Sequence, residues 1–278
     1  MRKKKEINLA VRTVVTELMD RVMHKVTIED PFIKEDHRAK KPLYAALVPD
    51  EIFKGSHFER RFVTPFGGVW EKLAFMVAKE VQGHCVLGHK CTGMVGRESL
   101  RRIQEVLAAL EHPTNGVQRK KPDWTSELEY IRAGGGELLP VDVVCDLFVD
   151  ARKSGVKYAF ELKAPLPNSD QTKVSKEKMF KLLAMSPALV DYAFFALPYN
   201  PYGVKENYAW SFPARWFDMK KDSSVLIGEE FWDLIGGKGT YTNFIKEVNL
   251  LGKVYRERIY TEYLGIPIPD QFEEEVLR

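Results

Sequence analysis

An α/β fold with a mixed β-sheet core flanked by helices is the class this sequence predicts, and three observations predict it. Residues 142–163 read as two apolar strands around a turn, residues 191–197 form a continuous apolar run, and the flanking segments carry apolar residues at helical spacing. The chain has 278 residues, 45% of them hydrophobic, enough for a packed core. No internal repeat, low-complexity tract or long linker divides it. One domain over 1–278 is therefore expected, with helical N-terminal and C-terminal elaborations.

Ile7 to Met23 predicts an amphipathic helix, with Leu9, Val11, Val14, Val15, Leu18 and Val22 toward a core or partner. No long apolar stretch follows the basic residues Arg2 to Lys5, so neither a secretion signal nor a membrane span is expected. The odd number of cysteines, three, argues for reduced thiols and a cytoplasmic setting. Thr64-Pro-Phe-Gly-Gly reads as a turn into a helix that buries Trp70, Leu73, Ala74, Val77 and Ala78. Glu71 sits near the start of that helix, where the dipole stabilises its charge. His84, Cys85, His89 and Cys91 are ligand types that zinc uses. Neither pair has the usual finger spacing, however, and neighbouring residues of a strand point apart, so a packed structural segment is the expectation.

Arg97 to Leu110 predicts another amphipathic helix. A turn-rich loop from His112 to Pro122 follows, then a short helix over Thr125 to Ile131. Asp191 to Leu197 suits a buried central strand, and Tyr208 to Phe212 a neighbouring one. Glu229 to Ile235, Thr240 to Leu250 and Lys253 to Leu264 read as helices separated by glycines at 236, 237, 239 and 252, with Trp232 and Tyr241 in the core.

The chemistry lies in residues 142–163. Ala-Arg-Lys-Ser-Gly is turn material between strands rich in Val, Phe, Tyr and Leu. With the turn centred between Lys153 and Ser154, Asp146 faces Glu161, at a Cβ separation of about 4.5 to 5.5 Å. Lys163, two residues on, shares the face of Glu161. Opposed carboxylates repel, and a divalent cation gives them a reason to meet. Mg²⁺ takes oxygen ligands from one or two carboxylates together with substrate phosphate and water. Asp142, just after Pro140, is the second candidate for the first acid, but it would oppose Pro165, roughly 13 Å of strand from Glu161. An amphipathic hairpin with a solvated charged face is the plain alternative.

Asp, a hairpin and then Glu-x-Lys resembles the core motif of the PD-(D/E)XK nucleases. ELKAPLPNSDQ at 161–171, LPYNPYG at 197–203 and IGEEFWDLIGGKGTY at 227–241 resemble landmarks of one branch of them, type II restriction endonucleases of the TdeIII kind. The resemblance implies a restriction-endonuclease-like sheet and Mg²⁺-dependent cleavage of double-stranded DNA at a short palindrome, GGNCC. It also implies a helical glutamate that reaches the metal site, here Glu71. A palindromic target suits a two-fold homodimer, one site to each strand. Asp146, Glu161 and Lys163 are then the catalytic residues, the two acids also being metal ligands.

The net charge is only +3, so a DNA surface must come from local clusters such as Arg2 to Lys5, Arg38 to Lys41 and Arg119 to Lys121. Gln171 and the lysines of the helix expected over Lys173 to Met185, Lys173, Lys176, Lys178 and Lys181, would sit close to the metal site and face DNA. Arg119 and Lys120 are placed for phosphates. Asn200 offers an amide to a base or phosphate, or initiates a turn with Pro201. A repair or junction-cleaving nuclease of the same core and a non-catalytic DNA-binding regulator are the rival functions.

Overall fold

Five strands lie side by side in chain order: β1 (Gly83–Gly96), β2 (Leu138–Ala151), β3 (Lys157–Leu162), β4 (Tyr192–Leu197) and β5 (Val225–Ile227). In this computed structural model, which describes residues 2–113 and 118–269, β1, β2 and β3 are antiparallel neighbours and β3, β4 and β5 are parallel. The sheet is mixed, as expected. Thr114 to Val117 of the predicted loop and the side chains of Arg2 to Lys4 lie outside the described residues. The helices are α1 (Arg2–His24), α2 (Lys34–Lys40), α3 (Pro42–Leu47), α4 (Asp50–Gln82), α5 (Arg97–Glu111), α6 (Trp124–Arg132), α7 (Ser169–Leu183), α8 (Glu229–Gly236) and α9 (Thr240–Arg258). Among the described residues no helix is long and apolar enough to cross a membrane.

The contacts divide the chain into two units, Met1–Leu73 with Thr242–Arg278, and Ala74–Tyr241. In the first unit α1 buries Val11, Val14, Leu18 and Val22 while Leu9 is exposed. Its polar side is engaged as well: Asn8 donates to Glu247 at 2.9 Å, Arg12 pairs with the same carboxylate, and Tyr255 donates to Asp20 at 2.8 Å.

Two predicted breaks in this unit do not occur. The helix expected to begin after a turn at Thr64 is continuous through Pro65, Gly67 and Gly68. Proline removes one ladder hydrogen bond and clashes with the preceding turn. Across that point Phe58, Phe62, Phe66 and Trp70 meet ring to ring at four-residue spacing, stacked, tilted and edge-on in turn, with centroids 6.1, 5.1 and 5.0 Å apart, and such aromatic pairs favour the helix they bridge. Likewise α9 runs through Gly252, whose helical penalty of about 1 kcal/mol is small beside the packing of the surrounding turns.

The second unit holds the sheet. Ile103 and Leu107 of α5, Trp124 and Ile131 of α6 and Met179 and Phe180 of α7 share one core with Phe195, Trp216 and Phe217. Trp124 stacks on Phe180 at 4.8 Å and Phe195 on Phe217 at 4.9 Å. Phe231 of α8 meets Phe160 of β3 edge-on at 5.6 Å, and the buried Trp232 donates its indole N–H to Pro198 O at 2.7 Å. The strand predicted at Tyr208 to Phe212 is instead irregular, and its place beside β4 is taken by β5. The aromatic residues that suggested a strand are tied elsewhere: Tyr208 donates to Pro165 O and Trp210 to Pro167 O, both at 2.9 Å.

Candidate active site

Strand register brings the two acids together. β2 and β3 pair as Leu147↔Phe160, Phe148↔Ala159, Val149↔Tyr158 and Asp150↔Lys157. One further step places Asp146 opposite Glu161, with the turn centred between Lys153 and Ser154, as the sequence predicted. The ladder ends there because a side chain takes over: the Leu162 N–H donates to Asp146 Oδ2 at 2.8 Å. On the other side of Asp146, the β1–β2 pairing runs from Gly83↔Ala151 to Gly96↔Leu138 and omits only Gly88, which lies opposite Asp146 with φ at +57°. A residue with a Cβ resists that conformation, so glycine is what lets β1 depart from the ladder at this level.

Lys163 Nζ lies 2.8 Å from Asp146 Oδ2, 3.4 Å from Glu161 Oε2 and 2.9 Å from the Leu162 carbonyl oxygen. Three oxygens thus converge on one ammonium. Glu161 is 1% exposed. Its Oε1 accepts from Lys178 at 2.7 Å, and its Oε2 from Ser175 at 3.3 Å. Ser175 and Lys178 stand three residues apart on α7 and so present one face to the carboxylate. Burial, and then the charge of Asp146, hold the Glu161 carboxyl above the usual carboxylate range against the opposing pull of Lys163 and Lys178. Burial pushes Lys163 down, but Glu161 and Asp146 together outweigh it, and its pKa lies above the ordinary lysine value. The ammonium therefore stays charged at neutral pH and acts as a donor.

A hydrogen-bonded acid pair, Glu161 buried and Asp146 partly exposed, bridged by lysine at the C-terminal end of β3 can gather a cation and a phosphate. One protein-family model, described as type II restriction endonuclease, HinfI, matches residues 7–252 of this chain. The chain belongs to that family. Type II restriction enzyme HgiCII of Herpetosiphon aurantiacus is 28% identical to it over 222 residues, 78% of this chain and 77% of the relative. Type II restriction enzymes HgiEI and HgiBI of the same organism are each 26% identical over 217 residues, 76% of this chain and 77% of the relative. The enzyme class is thus type II site-specific deoxyribonuclease, with double-stranded DNA as its partner.

Other residues singled out in this HinfI-family chain fall in different places. Asp142 lies away from the acid pair, on the β1 side of β2: it accepts from Thr92 at 2.6 Å and pairs with Lys90 at 2.8 Å, about half exposed. The hydrogen bonds of Lys90 and Thr92 lower its pKa. Asp142→Asn is expected to leave cleavage within about twofold of the parent and thermal stability unchanged, since exposed pairs contribute little; a loss as deep as that of an Asp146 variant would exchange their roles.

Lys176 corrects an expectation. It is fully buried, 2.6 Å from Glu127, with its ammonium also donating to Trp216 O and facing the rings of Phe217, Phe180 and Trp124 at 4.9, 5.4 and 5.9 Å. A charge so enclosed does not reach a phosphate. Asn200 is likewise occupied, since Nδ2 donates to Val204 O at 2.7 Å and Oδ1 accepts from Tyr202 N at 2.9 Å, closing a turn. Lys173 pairs with Glu111 and lies over the Trp216 ring at 5.5 Å, while Gln171 is exposed in the first turn of α7, its N–H capped by Asn168 at 2.8 Å. Arg119 and Lys120 are exposed on the wall of an open groove of about 960 Å³ that Lys121, Arg215, Lys220 and Trp210 also line.

Glu71 lies on α4 in the first unit, whereas the acid pair belongs to the second. The cysteine and histidine segment is β1: Cys85 is partly buried and Cys91 buried, both free thiols, and the His89 ring packs at 4.4 Å from Phe148. Among the described residues no group of three or more His, Cys, Asp or Glu is placed to hold a metal. Ser175 and Gly88 escaped the sequence reading, and Lys178, expected near the site as a DNA-facing lysine, is paired with Glu161. The i, i+3 spacing of Ser175 and Lys178 was visible there, but only tertiary packing shows that this face meets Glu161.

Proposed function

We propose that this HinfI-family chain cleaves double-stranded DNA with Mg²⁺ at a short palindrome, through Asp146, Glu161 and Lys163, acting as a two-fold homodimer. The convergence of Asp146 Oδ2, Glu161 Oε2 and the Leu162 carbonyl on one ammonium carries the reading. All three acceptors are oxygen, the ligand type a hard cation takes, and a pair of carboxylates leaves the remaining positions to phosphate and water, as Mg²⁺ requires. When bound, the cation supplies charge neutralisation at a phosphoryl oxygen under in-line attack. Asp146 and Glu161 would hold it. Lys163, charged at neutral pH, donates to the attacking water and to negative charge developing on the phosphate. The resemblance to the nucleases adds Glu71 as an accessory ligand. Gln171 and Lys173 on α7, with Arg119 and Lys120 on the groove wall, are the phosphate and base contacts proposed. GGNCC is the target that the TdeIII-like landmarks suggest.

The test is digestion of unmethylated phage DNA by the purified protein with Mg²⁺, beside EDTA and Lys163→Ala controls, with the fragment ends sequenced. Discrete bands that vanish in both controls are expected, with GGNCC at the ends. Discrete ends at another sequence would replace GGNCC and leave the rest standing. A smear would indicate cleavage without a fixed sequence, and duplex binding with no cleavage would overturn the catalytic assignment.

A further inference from the structure

Glu161 is met by two lysines, one more than the pairing of the two acids uses. Lys163 already bridges the acids, yet Lys178 reaches from α7 to Glu161 Oε1 at 2.7 Å, and Ser175 occupies Oε2. Two carboxyl groups and two lysine side chains thus meet at the end of β3. Lys178 is only partly enclosed, its side chain 28% exposed against 2% for Glu161. It can swing to solvent or to a phosphate without disturbing the core, whereas the carboxylate cannot leave. The other lysines of α7 are occupied elsewhere, Lys173 by Glu111, Lys176 by Glu127 and Lys181 by Glu177.

We propose that Lys178 is a resident counter-ion that competes with the divalent cation for Glu161, so that the free enzyme binds the cation weakly and a DNA phosphate, by drawing Lys178 away, releases the carboxylate to it. Lys178 is thus a positioning residue, acting through Glu161. The inference rests on the reading of Asp146 and Glu161 as cation ligands. Its physical basis is that a unit charge within a few ångströms of a buried carboxylate opposes a second cation strongly, because water screens the two poorly there. A duplex phosphate offers the ammonium an alternative acceptor of equal kind.

The experiment is Mn²⁺ binding to the whole protein without DNA, measured as free Mn²⁺ by electron paramagnetic resonance, for the parent, Lys178→Met, Lys178→Arg, Lys181→Met and Glu161→Gln. Lys178→Met should bind Mn²⁺ tighter by about tenfold or more. Lys178→Arg should return the affinity toward the parent value, and Lys181→Met, which makes the same change of net charge on the same helix, should leave it unaltered. Tighter binding cannot arise from a damaged fold. An affinity unchanged or weakened in Lys178→Met, while Glu161→Gln still abolishes binding, would overturn the counter-ion role and keep the cation site. Parent and Glu161→Gln binding alike would instead overturn the cation site itself, and the inference with it.

Discussion

Glu161→Gln and Lys163→Ala should each lower DNA cleavage by at least about a thousandfold, equivalent to roughly 4 kcal/mol of transition-state stabilisation, in proteins that still fold and bind duplex DNA. Gln keeps the length of the side chain and an oxygen for Ser175, Lys163 or Lys178 but removes the charge. Its effect is therefore on cation binding rather than packing, and burial already disfavours the charge that it removes. Lys163→Ala takes away the donor aimed at Asp146 Oδ2, Glu161 Oε2 and Leu162 O and leaves the strand in place. The checks are single-turnover cleavage at saturating Mg²⁺, duplex affinity in the presence of EDTA, and circular dichroism. Undiminished cleavage by both variants would sink the assignment. Loss of duplex affinity equal to the loss of cleavage would move these residues from chemistry to binding.

The acid pair was legible because everything that brings it together is local. A turn of small and polar residues sets the register, the two-residue strand period sets the face, and the observed ladder from Leu147↔Phe160 to Asp150↔Lys157 follows that reading. What surrounds the pair was less legible. On α7 the apolar Val174 is exposed, whereas the buried stripe includes the polar Thr172, Ser175 and Lys176. A helical lysine is solvated by default, and Lys176 is not, because Glu127 on α6 is distant in sequence and close in space. Strand β5, only three residues long, is too short to show a period, whereas the aromatic Tyr208 to Phe212 had strand-like composition with no partner strand to pair with. Pro65 and Gly252 were strong local signals for breaks, and aromatic contacts along α4 and packing along α9 outweighed them.

The second large effect concerns stability. Lys176→Met is expected to cost roughly 3–5 kcal/mol, because it leaves Glu127, itself fully buried, without the ammonium 2.6 Å away. A melting temperature lower by on the order of 10 °C should follow. Replacing both members, Lys176→Met with Glu127→Leu, should recover most of the loss, since a well-packed apolar pair avoids the burial of either charge. Burial, its largest influence, already holds Glu127 above the ordinary value of 4.5, with Lys176 pulling the other way. Without Lys176 the folded-state pKa rises further. A raised pKa means that the folded protein holds the proton more tightly than the unfolded chain, so the contribution is complete below 4.5 and lost as pH rises through the folded value. Lys176→Met should therefore be more stable near pH 5 than near pH 8, and the double variant should lack that difference. The double variant also decides the DNA question. If Lys176 met a phosphate, its loss would weaken duplex binding and reduce the salt dependence by about one unit of slope; an ammonium enclosed by Glu127, Trp216 and three aromatic rings predicts that both stay at the parent value.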